Sequence, residues 1–238
     1  MSAAFTSGRI AMDLMSITTI LFDFDGTLAS SLEGIHVCFR EALFMNGYPE
    51  PSLEDVRRTV GLTLEESVRR LTHGQCDGEQ TEDVVTLYRA LYTKKGRAMA
   101  TLFPGAMETL AAVKAMGIRI ALVSNKSHEG LRRLAAHLGI ESCIDVMQGA
   151  DPASFRKPDA RLYTENLAPR LPEAGESQVL VVGDTDTDLL FARNASLRSC
   201  WAAYGYGDPE GCRALAPEFI LEDIAQLPGL IRRPNSGE

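Results

Sequence analysis

The chain has 238 residues, of which 45% are apolar and 24% charged, and its formal net charge is −8. The length fits a core domain that carries a smaller inserted module, and the apolar fraction is ordinary for a protein that buries a sizeable core. The acidic balance argues against non-specific binding to nucleic acid, which needs clustered Lys and Arg to neutralise phosphates, but it leaves a small anionic substrate open.

The first strong element is a strand over residues 17–24, which read I-T-T-I-L-F-D-F. β-Branched and aromatic residues fill this segment, and it is almost wholly apolar up to Asp23. Strands that are buried on both faces have this composition, which is typical of a parallel sheet. The polar run Asp25-Gly26-Thr27 ends the strand.

Residues 30–96 show a helical pattern that no strand pattern interrupts. Ser52 is the expected N-cap of one helix, and Thr63 with Glu66 makes an expected capping box for the next. Thr81 is expected to open the last helix. We therefore predict a small helical cap at 30–96, inserted after the first strand of the core.

Strands and helices alternate after residue 105. The predicted strands span 118–123, 144–147, 178–182, 197–202 and 219–221. The predicted helices span 106–116, 129–138, 159–167 and 188–194. Alternation of this kind predicts an α/β fold with a parallel sheet and helices on both faces. The core is expected to comprise residues 1–29 and 97–238, with a disordered tail at 232–238.

Polar side chains follow four of these strands. They are Asp23, Asp25 and Thr27 at the end of the first strand, with Gly26 between the last two, Ser124 and Asn125 after the second, Lys157 in the connection after the third, and Asp184 and Asp188 after the fourth. Open parallel sheets bind ligands at the carboxyl ends of their strands. We therefore expect these residues, although scattered along the sequence, to converge on one crevice.

The residues at these strand ends suit phosphoryl transfer from a phosphate monoester, which needs a nucleophile, charge neutralisation and a proton for the leaving group. Asp23 can attack phosphorus and form an aspartyl-phosphate. Asp25 can protonate the leaving alkoxide and later activate water. Asp23 and Asp184 offer hard oxygen ligands for Mg²⁺.

The groups expected to hold the phosphate are a lysine, two hydroxyls and nearby polar groups. Lys157 adds a positive charge where the transition state is negative. The hydroxyls of Thr27 and Ser124 can donate to phosphate oxygens, and Gly26 and Asn125 complete the expected substrate-binding set.

Four short motifs occur in a fixed order: D-F-D-G-T at 23–27, Ser124 after a strand, Lys157 in R-K-P-D, and G-D-T-D-T-D at 183–188. Each motif alone is weak, because a lone D-x-D is often only a turn, but together they resemble the signature of the haloacid dehalogenase-like hydrolases. The runs F-P-G-A-M-E-T-L and A-L-V-S-N-K look like the phosphoglycolate-phosphatase-like branch of that family.

The resemblance covers nearly the whole chain and implies a Rossmann-like core with an inserted helical cap. It implies that Asp23 is the nucleophile and Asp25 the acid/base. It also implies a Mg²⁺ site in which Asp25 contributes a backbone carbonyl beside Asp23, Asp184 and Asp188.

Several relatives of this kind have other activities. Asp25 argues against the dehalogenases and the phosphonate-cleaving members, which lack this second aspartate. β-Phosphoglucomutase-like mutases are the main rival, but their cap loop carries basic residues where 60–64 reads V-G-L-T-L, and His36 lies one position late for their linker histidine. A non-catalytic phosphate-binding protein is a further alternative, against which the presence of both Asp23 and Asp25 argues.

The expected substrate is a small phosphorylated metabolite, either a phospho-acid or a sugar phosphate. Four arginines of the predicted cap are candidates to reach a substrate carboxylate, although each alone is more often a solvated helix charge. They are Arg57, Arg58, Arg69 and Arg70. The protein is expected to be a monomer or a small homo-oligomer, without nucleic-acid or membrane partners.

The five cysteines indicate a reducing compartment. Their number is odd and no two have a C-x-x-C spacing, so reduced thiols are favoured over disulfides or a zinc site. Residues 1–16 contain no sustained apolar stretch, and the longest apolar runs are only strand-sized. We therefore expect a cytoplasmic protein.

Overall fold

The structure is a computed structural model, and it describes residues 17–151, 154–171 and 174–231. Residues 1–16, and the tail at 232–238 that is expected to be disordered, lie outside these ranges. Within the described ranges, no helix is both long and apolar enough to cross a membrane.

The strands form one large sheet and one short ribbon. In chain order they are β1 (Thr19–Phe22), β2 (Ala29–Ser30), β3 (Thr101–Leu102), β4 (Arg119–Val123), β5 (Val146–Gln148), β6 (Val179–Gly183), β7 (Arg198–Ala202) and β8 (Phe219–Leu221). The six-stranded sheet has the order β5-β4-β1-β6-β7-β8 and is parallel throughout. β1 lies between β4 and β6, so Thr19 pairs with both Arg119 and Val179. The predicted parallel sheet is confirmed.

Successive side chains of the central strands alternate between two hydrophobic clusters. Ile20 and Phe22 of β1 belong to one cluster and Leu21 belongs to the other. The side chains of β4 and β6 alternate in the same way. Because both faces of the sheet are covered, β1 reads as a continuous apolar run rather than as an alternating one.

The chain between β2 and β3 is helical. Its helices are α1 (Leu32–Met45), α2 (Leu53–Arg57), α3 (Leu64–Leu71) and α4 (Gly78–Leu91), and α4 continues into a wider π-helical turn at Tyr92–Gly96. The ribbon β2–β3 is antiparallel and joins the two ends of this segment, with Ala29 paired to Leu102. The segment is the helical insertion that the sequence predicts, and its separate folding as a cap domain stays a prediction.

Two of these helices begin at the predicted caps. At α2, the Asp55 N–H donates to Ser52 Oγ (3.1 Å) and the Ser52 N–H donates to Asp55 Oδ2 (3.2 Å). At α3, Thr63 Oγ1 accepts from the Glu66 N–H (3.2 Å). The Glu66 carboxylate, however, pairs with arginines of its own helix, so only half of the expected capping box forms.

The remaining helices differ from prediction mainly at their ends. They are α5 (Ala106–Ala115), α6 (His128–His137), α7 (Asp186–Asn194), α8 (Pro209–Ala214) and α9 (Leu227–Ile231). α4 begins after Asp77 and not at Thr81, because Glu79 and Gln80 are good helix formers. The helix predicted at 159–167 is a π-helical segment at Leu162–Leu167, and the short helices α8 and α9 were not predicted.

Two glycines allow the ends of the helical segment to pass each other. Gly34 of α1 is buried, and a Cβ at this position would clash with the backbone carbonyl of Gly96. A Cβ at Gly96 would lie 2.7 Å from Cys38 Sγ. The absence of both side chains therefore sets how closely α1 approaches the turn after α4.

Replacement of Gly34 by alanine tests this close approach. Helix propensity alone predicts that Gly34→Ala stabilises the protein by about 0.5–1 kcal/mol. We expect the reverse, a loss of about 1–3 kcal/mol in the free energy of unfolding, because the clashing atom is backbone and cannot rotate away. Urea denaturation measures the difference, with the exposed neighbour Glu33→Ala as the control. A Gly34→Ala protein as stable as the wild type would contradict the close contact.

Candidate active site

Three buried carboxylates lie together at the carboxyl ends of β1 and β6. Asp23 follows β1, and Asp184 and Asp188 lie after and near the end of β6. Each offers an oxygen atom within 4.8 Å of the others. Lys157 Nζ donates to Asp23 Oδ1 (2.5 Å) and to Asp188 Oδ1 (2.6 Å). The structure thus brings these four residues together, as the strand-end argument predicts.

This cluster of buried side chains contains three carboxylates and one ammonium, so its formal charge is negative. Burial, opposed by Lys157 and aided by Asp188, raises the pKa of Asp23 to about 7. Burial and the charges of Asp23 and Asp188 also raise the pKa of Asp184 well above its usual value. Ionised carboxylates are the hard oxygen donors that Mg²⁺ binds, and a divalent cation would balance the charge that burial makes costly here. The donor set therefore fits a magnesium ion.

Each metal-ligand candidate after β6 is held by hydrogen bonds. Asp184 Oδ1 accepts from Thr27 Oγ1 (3.0 Å), and Asp184 Oδ2 accepts from the Tyr206 N–H (2.8 Å). Asp188 Oδ2 accepts from the N–H (3.1 Å) and the hydroxyl (2.8 Å) of Thr185 at the start of α7. In this structure the Thr27 hydroxyl thus orients Asp184, and its contact with a substrate phosphate stays a prediction.

Gly26 has a conformation and a location that favour glycine. Its φ is +97°, in the left-handed region, and a Cβ there would overlap the Asp184 carboxylate and approach the Tyr206 ring. The loop after β1 can therefore turn beside Asp184 only without a side chain at this position. Its backbone contact with substrate stays a prediction.

Asp25 lies apart from the carboxylate cluster and faces a lysine that sequence analysis did not select. Asp25 Oδ1 accepts from Ser31 Oγ (2.5 Å), and Asp25 Oδ2 lies 3.2 Å from Lys126 Nζ. Lys126 Nζ also lies 4.6 Å from the centroid of the Tyr92 ring. Burial opposes the charge of Lys126, but Asp25 and Tyr92 more than offset it and hold the pKa of the ammonium above its usual value. The metal contact predicted for Asp25 is made by its backbone carbonyl, so these side-chain contacts leave it a prediction.

Ser124 and Asn125 follow β4, as predicted, and both have internal partners. Ser124 Oγ accepts from the Lys126 N–H (3.1 Å). Asn125 Nδ2 donates to the carbonyls of Gly61 (2.9 Å) and Lys157 (3.0 Å), and Asn125 Oδ1 accepts from the Lys157 N–H (3.0 Å). The Asn125 side-chain amide thus links the loop that carries Lys157, and the loop of the helical segment that carries Gly61, to the end of β4. Asn125 also lines the cavity described below, and its contact with a substrate stays a prediction.

A loop after β7 also reaches the site and was missed by sequence reasoning. Tyr204 donates its hydroxyl to the Thr27 carbonyl (2.7 Å). The Tyr206 hydroxyl accepts from the Ser31 N–H (2.9 Å), next to the Ser31–Asp25 hydrogen bond. The only available signal was the Y-G-Y run soon after a predicted strand. This loop braces the chain segment that carries both aspartates after β1.

A cavity of about 260 Å³ lies between these loops and the helical segment. Asp23, Asp25, Ser124 and Lys126 lie on its core side, and residues of α1, α3 and α4 and the loop before α3 form the other side. Its size and location suit the leaving group of a small ester.

The four cap arginines proposed to bind a carboxylate do not line this cavity. Arg58 pairs with Glu54, and Arg57 pairs with Glu54 and donates to the Tyr206 carbonyl. Arg69 and Arg70 both pair with the carboxylate of Glu66. In this structure a local acidic partner at helical spacing holds each arginine, which agrees with the interpretation of each as a helix charge. Whether one of them reaches a substrate carboxylate stays a prediction.

His36, which was weighed as a possible mutase linker residue, has a structural partner. His36 Nε2 lies 3.2 Å from the Pro51 carbonyl oxygen, within the helical segment. It is not among the residues that line the cavity. This geometry supports the interpretation of His36 as a structural histidine.

Two proteins with similar sequences cover most of this chain. It is 33% identical over 190 residues to "Tyrosine-protein kinase PtkA" of Mycobacterium tuberculosis, covering 79% of this chain but only 62% of that protein. It is 30% identical over 222 residues to "Phosphoglycolate phosphatase" of Vibrio parahaemolyticus, covering 91% of this chain and 96% of that protein.

A solved structure shares the same architecture. A hydrolase of the haloacid dehalogenase-like family from Streptococcus pneumoniae superimposes with a TM-score of 0.80 at 26% identity, over 91% of this chain and 99% of that one. The sequence model described as "Haloacid dehalogenase-like hydrolase" matches residues 20–202. The site lies at the strand ends where the motifs of this resemblance occur, and the chain belongs to the haloacid dehalogenase-like hydrolases.

Proposed function

We propose that this protein is a Mg²⁺-dependent phosphatase that hydrolyses a small phosphate monoester, either a phosphoglycolate-like phospho-acid or a sugar phosphate. One observation carries the proposal. Asp23 lies at the floor of the cavity, with Lys157 and two carboxylates on one side and Asp25 within the same short loop. The Vibrio relative, which this chain matches over most of its length, is named a phosphoglycolate phosphatase and supports the same reaction class.

The two aspartates after β1 divide the reaction between them. An oxygen of the Asp23 carboxylate attacks phosphorus, and the bond from phosphorus to the ester oxygen breaks as Asp25 gives that oxygen a proton. Asp25 then takes a proton from water, which attacks the aspartyl-phosphate and releases inorganic phosphate. Ser31 and Lys126 hold the Asp25 carboxylate in place for both steps.

The positive charge near phosphorus comes from Lys157 and from the metal site. Asp23, Asp184 and Asp188, with the backbone carbonyl of Asp25, would hold Mg²⁺. Bound there, the ion would lower the repulsion between carboxylate and phosphate and polarise a phosphoryl oxygen. Lys157 Nζ, held between Asp23 and Asp188, stabilises negative charge on the transferring group.

The two alternatives have less support. A phosphosugar mutase would need basic groups in the cap loop at 60–64, and this loop instead places Val60, Gly61, Leu62 and Leu64 on the cavity wall. A non-catalytic phosphate-binding protein would not need Asp25 and its buried partners. Hydrolysis remains the function that the site supports best.

Removal of the metal tests the proposal. We expect EDTA to lower the hydrolysis of p-nitrophenyl phosphate by at least about 100-fold, because electrostatic stabilisation of this kind supplies two to three orders of magnitude in rate. Added Mg²⁺ should restore the rate. Mg²⁺ should also raise the free energy of unfolding, by about 2.7 kcal/mol when its concentration is one hundred times its dissociation constant.

Two matched variants distinguish a specific metal site from a general salt effect. Asp184→Asn should lose both the activity and the stabilisation by Mg²⁺. Asp186→Asn, at the exposed first residue of α7, should keep both. Full activity in EDTA, or equal Mg²⁺ stabilisation of the two variants, would contradict the metal site.

We also propose that the protein works in the cytoplasm. All five cysteines lie in the described part of the chain, and all are free thiols. Four of them are buried. Free thiols in this number are typical of a reducing compartment.

A further inference from the structure

The cavity has one wall made of aromatic and aliphatic side chains. They are Ile35, Phe39, Val60, Leu62, Leu64, Tyr88 and Tyr92. The rings form a continuous row, with centroids 4.3 Å apart for Phe39 and Tyr88 and 5.8 Å apart for Tyr88 and Tyr92. A flat or apolar group could therefore pack on this wall next to the two catalytic aspartates.

Two hydroxyl groups on the same side of the cavity, those of Thr59 and Ser67, donate to backbone carbonyls. Thr59 Oγ1 donates to the Val56 carbonyl (2.8 Å). Ser67 Oγ donates to the Thr63 carbonyl (2.9 Å). Because their donors are already used, they offer little to the several hydroxyls of a sugar, whose unpaired burial would cost binding energy. The wall favours an apolar body over a sugar.

One basic group with little exposure lies where this wall meets the catalytic loop. The Lys126 side chain is only 15% exposed, and its ammonium lies between Asp25 and the Tyr92 ring. The ammonium has three N–H donors, and Asp25 takes one of them. The other two basic residues that line the cavity, Arg89 and Arg133, are about half exposed and pair with glutamates.

A second polar group at this place lacks a partner. Among the described residues, the buried Tyr92 hydroxyl has no hydrogen-bond partner. A buried hydroxyl of this kind normally finds a protein group, a water or a ligand. Tyr92 lines the cavity and its ring centroid lies 4.6 Å from Lys126 Nζ, so the ring that carries this hydroxyl lies beside the lysine.

We infer that Lys126 and Tyr92 form a leaving-group subsite that selects phosphate esters with a flat or apolar body and one anionic group. The inference rests on the proposed function, since it assumes that the phosphorus lies at Asp23. Asp25 must come within about 2.6–3.2 Å of the ester oxygen to protonate it. Lys126 Nζ lies 3.2 Å from Asp25, so the anionic group of the substrate lies only a few bonds from that oxygen.

A matched set of esters tests the subsite. The probes are 3-carboxyphenyl phosphate, the isosteric but neutral 3-carbamoylphenyl phosphate, and phenyl phosphate, each assayed by phosphate release with Mg²⁺. We expect the wild type to prefer the carboxylate over the carboxamide by about 10- to 100-fold in kcat/KM, the usual value of a charge-assisted hydrogen bond. The preference should appear mainly in KM.

Variants identify the groups responsible for this preference. Lys126→Met should reduce the ratio to within about threefold of unity, whatever its effect on the rate with phenyl phosphate, and Lys126→Arg should keep part of it. Tyr92→Phe should lower the ratio by a few-fold. Lys114→Met, at an exposed lysine on α5, is the control and should leave the ratio unchanged.

The outcomes separate this inference from the proposed function. Turnover of phenyl phosphate without a carboxylate preference overturns the subsite and leaves the phosphatase intact. An unchanged ratio in Lys126→Met also overturns it, because Lys126 would then act only on Asp25. Failure of the wild type to hydrolyse any of the three esters contradicts the phosphatase itself and the subsite with it.

Discussion

Asp23→Asn is expected to abolish phosphate release, with a loss in kcat on the order of 10⁴- to 10⁶-fold, as when other enzymes lose a nucleophile. The amide cannot attack phosphorus, while its size and its carbonyl oxygen keep the contact with Lys157. Burial already raises the pKa of Asp23 to about 7, so a neutral side chain is tolerated there. The unfolding free energy should therefore change by no more than about 1 kcal/mol.

The measurement is phosphate release from p-nitrophenyl phosphate, combined with mass analysis of acid-quenched enzyme. The wild type should show a phosphorylated peptide that contains Asp23, and Asp23→Asn should show none. Asp186→Asn is again the matched control. A variant that retains wild-type activity in freshly prepared protein, before any deamidation, would remove Asp23 from the nucleophile role.

Lys157→Met is expected to have two separate effects. The lysine is buried between Asp23 and Asp188, so its loss leaves buried carboxylates without a compensating charge. Losing one partner of a buried ion pair typically costs about 3–5 kcal/mol of stability. Loss of the positive charge near phosphorus should also lower kcat by about 100- to 1,000-fold.

Urea denaturation in EDTA and in Mg²⁺ separates the two effects. Mg²⁺ should recover part of the lost stability, because it adds positive charge to the same cluster, but it should not recover the rate. Lys94→Met, at an exposed position of the helical segment, serves as the control. If Lys157→Met were as stable as this control in EDTA, the lysine would not be needed to balance the carboxylates.

The large elements of the fold could be predicted because their signals are local. The apolar run of β1 indicates a strand that is buried on both faces, and Ser52 indicates the start of α2. Element ends were less accurate, since the pairing of neighbouring strands decides where β1 stops. The helix expected at 159–167 forms wider turns, which no local pattern indicated.

The residues of the candidate site also differ in whether a local sequence signal indicates them. Asp23, Lys157 and Asp184 were found because each follows a recognisable strand or motif. Lys126 was missed because its partner Asp25 lies far away in sequence, and a lysine in a loop has no local pattern that indicates burial. The arginines of the helical segment were candidates because their charge suits a substrate carboxylate. In the structure, glutamates of the same helices hold them, as Glu54 holds Arg57 and Glu66 holds Arg69.

The central location of β1 has a consequence for how this protein reaches its native state. Its two sheet neighbours, β4 and β6, lie far along the chain, so Thr19 must find both Arg119 and Val179 before the sheet exists. Closing such long loops costs entropy, and non-local parallel pairing forms slowly. Asp23, directly after β1, therefore lacks Asp184 and Asp188 as neighbours until β6 has joined the sheet. If Asp23 is the nucleophile, a growing chain is expected to have no phosphatase activity until β6 and the residues after it have left the ribosome.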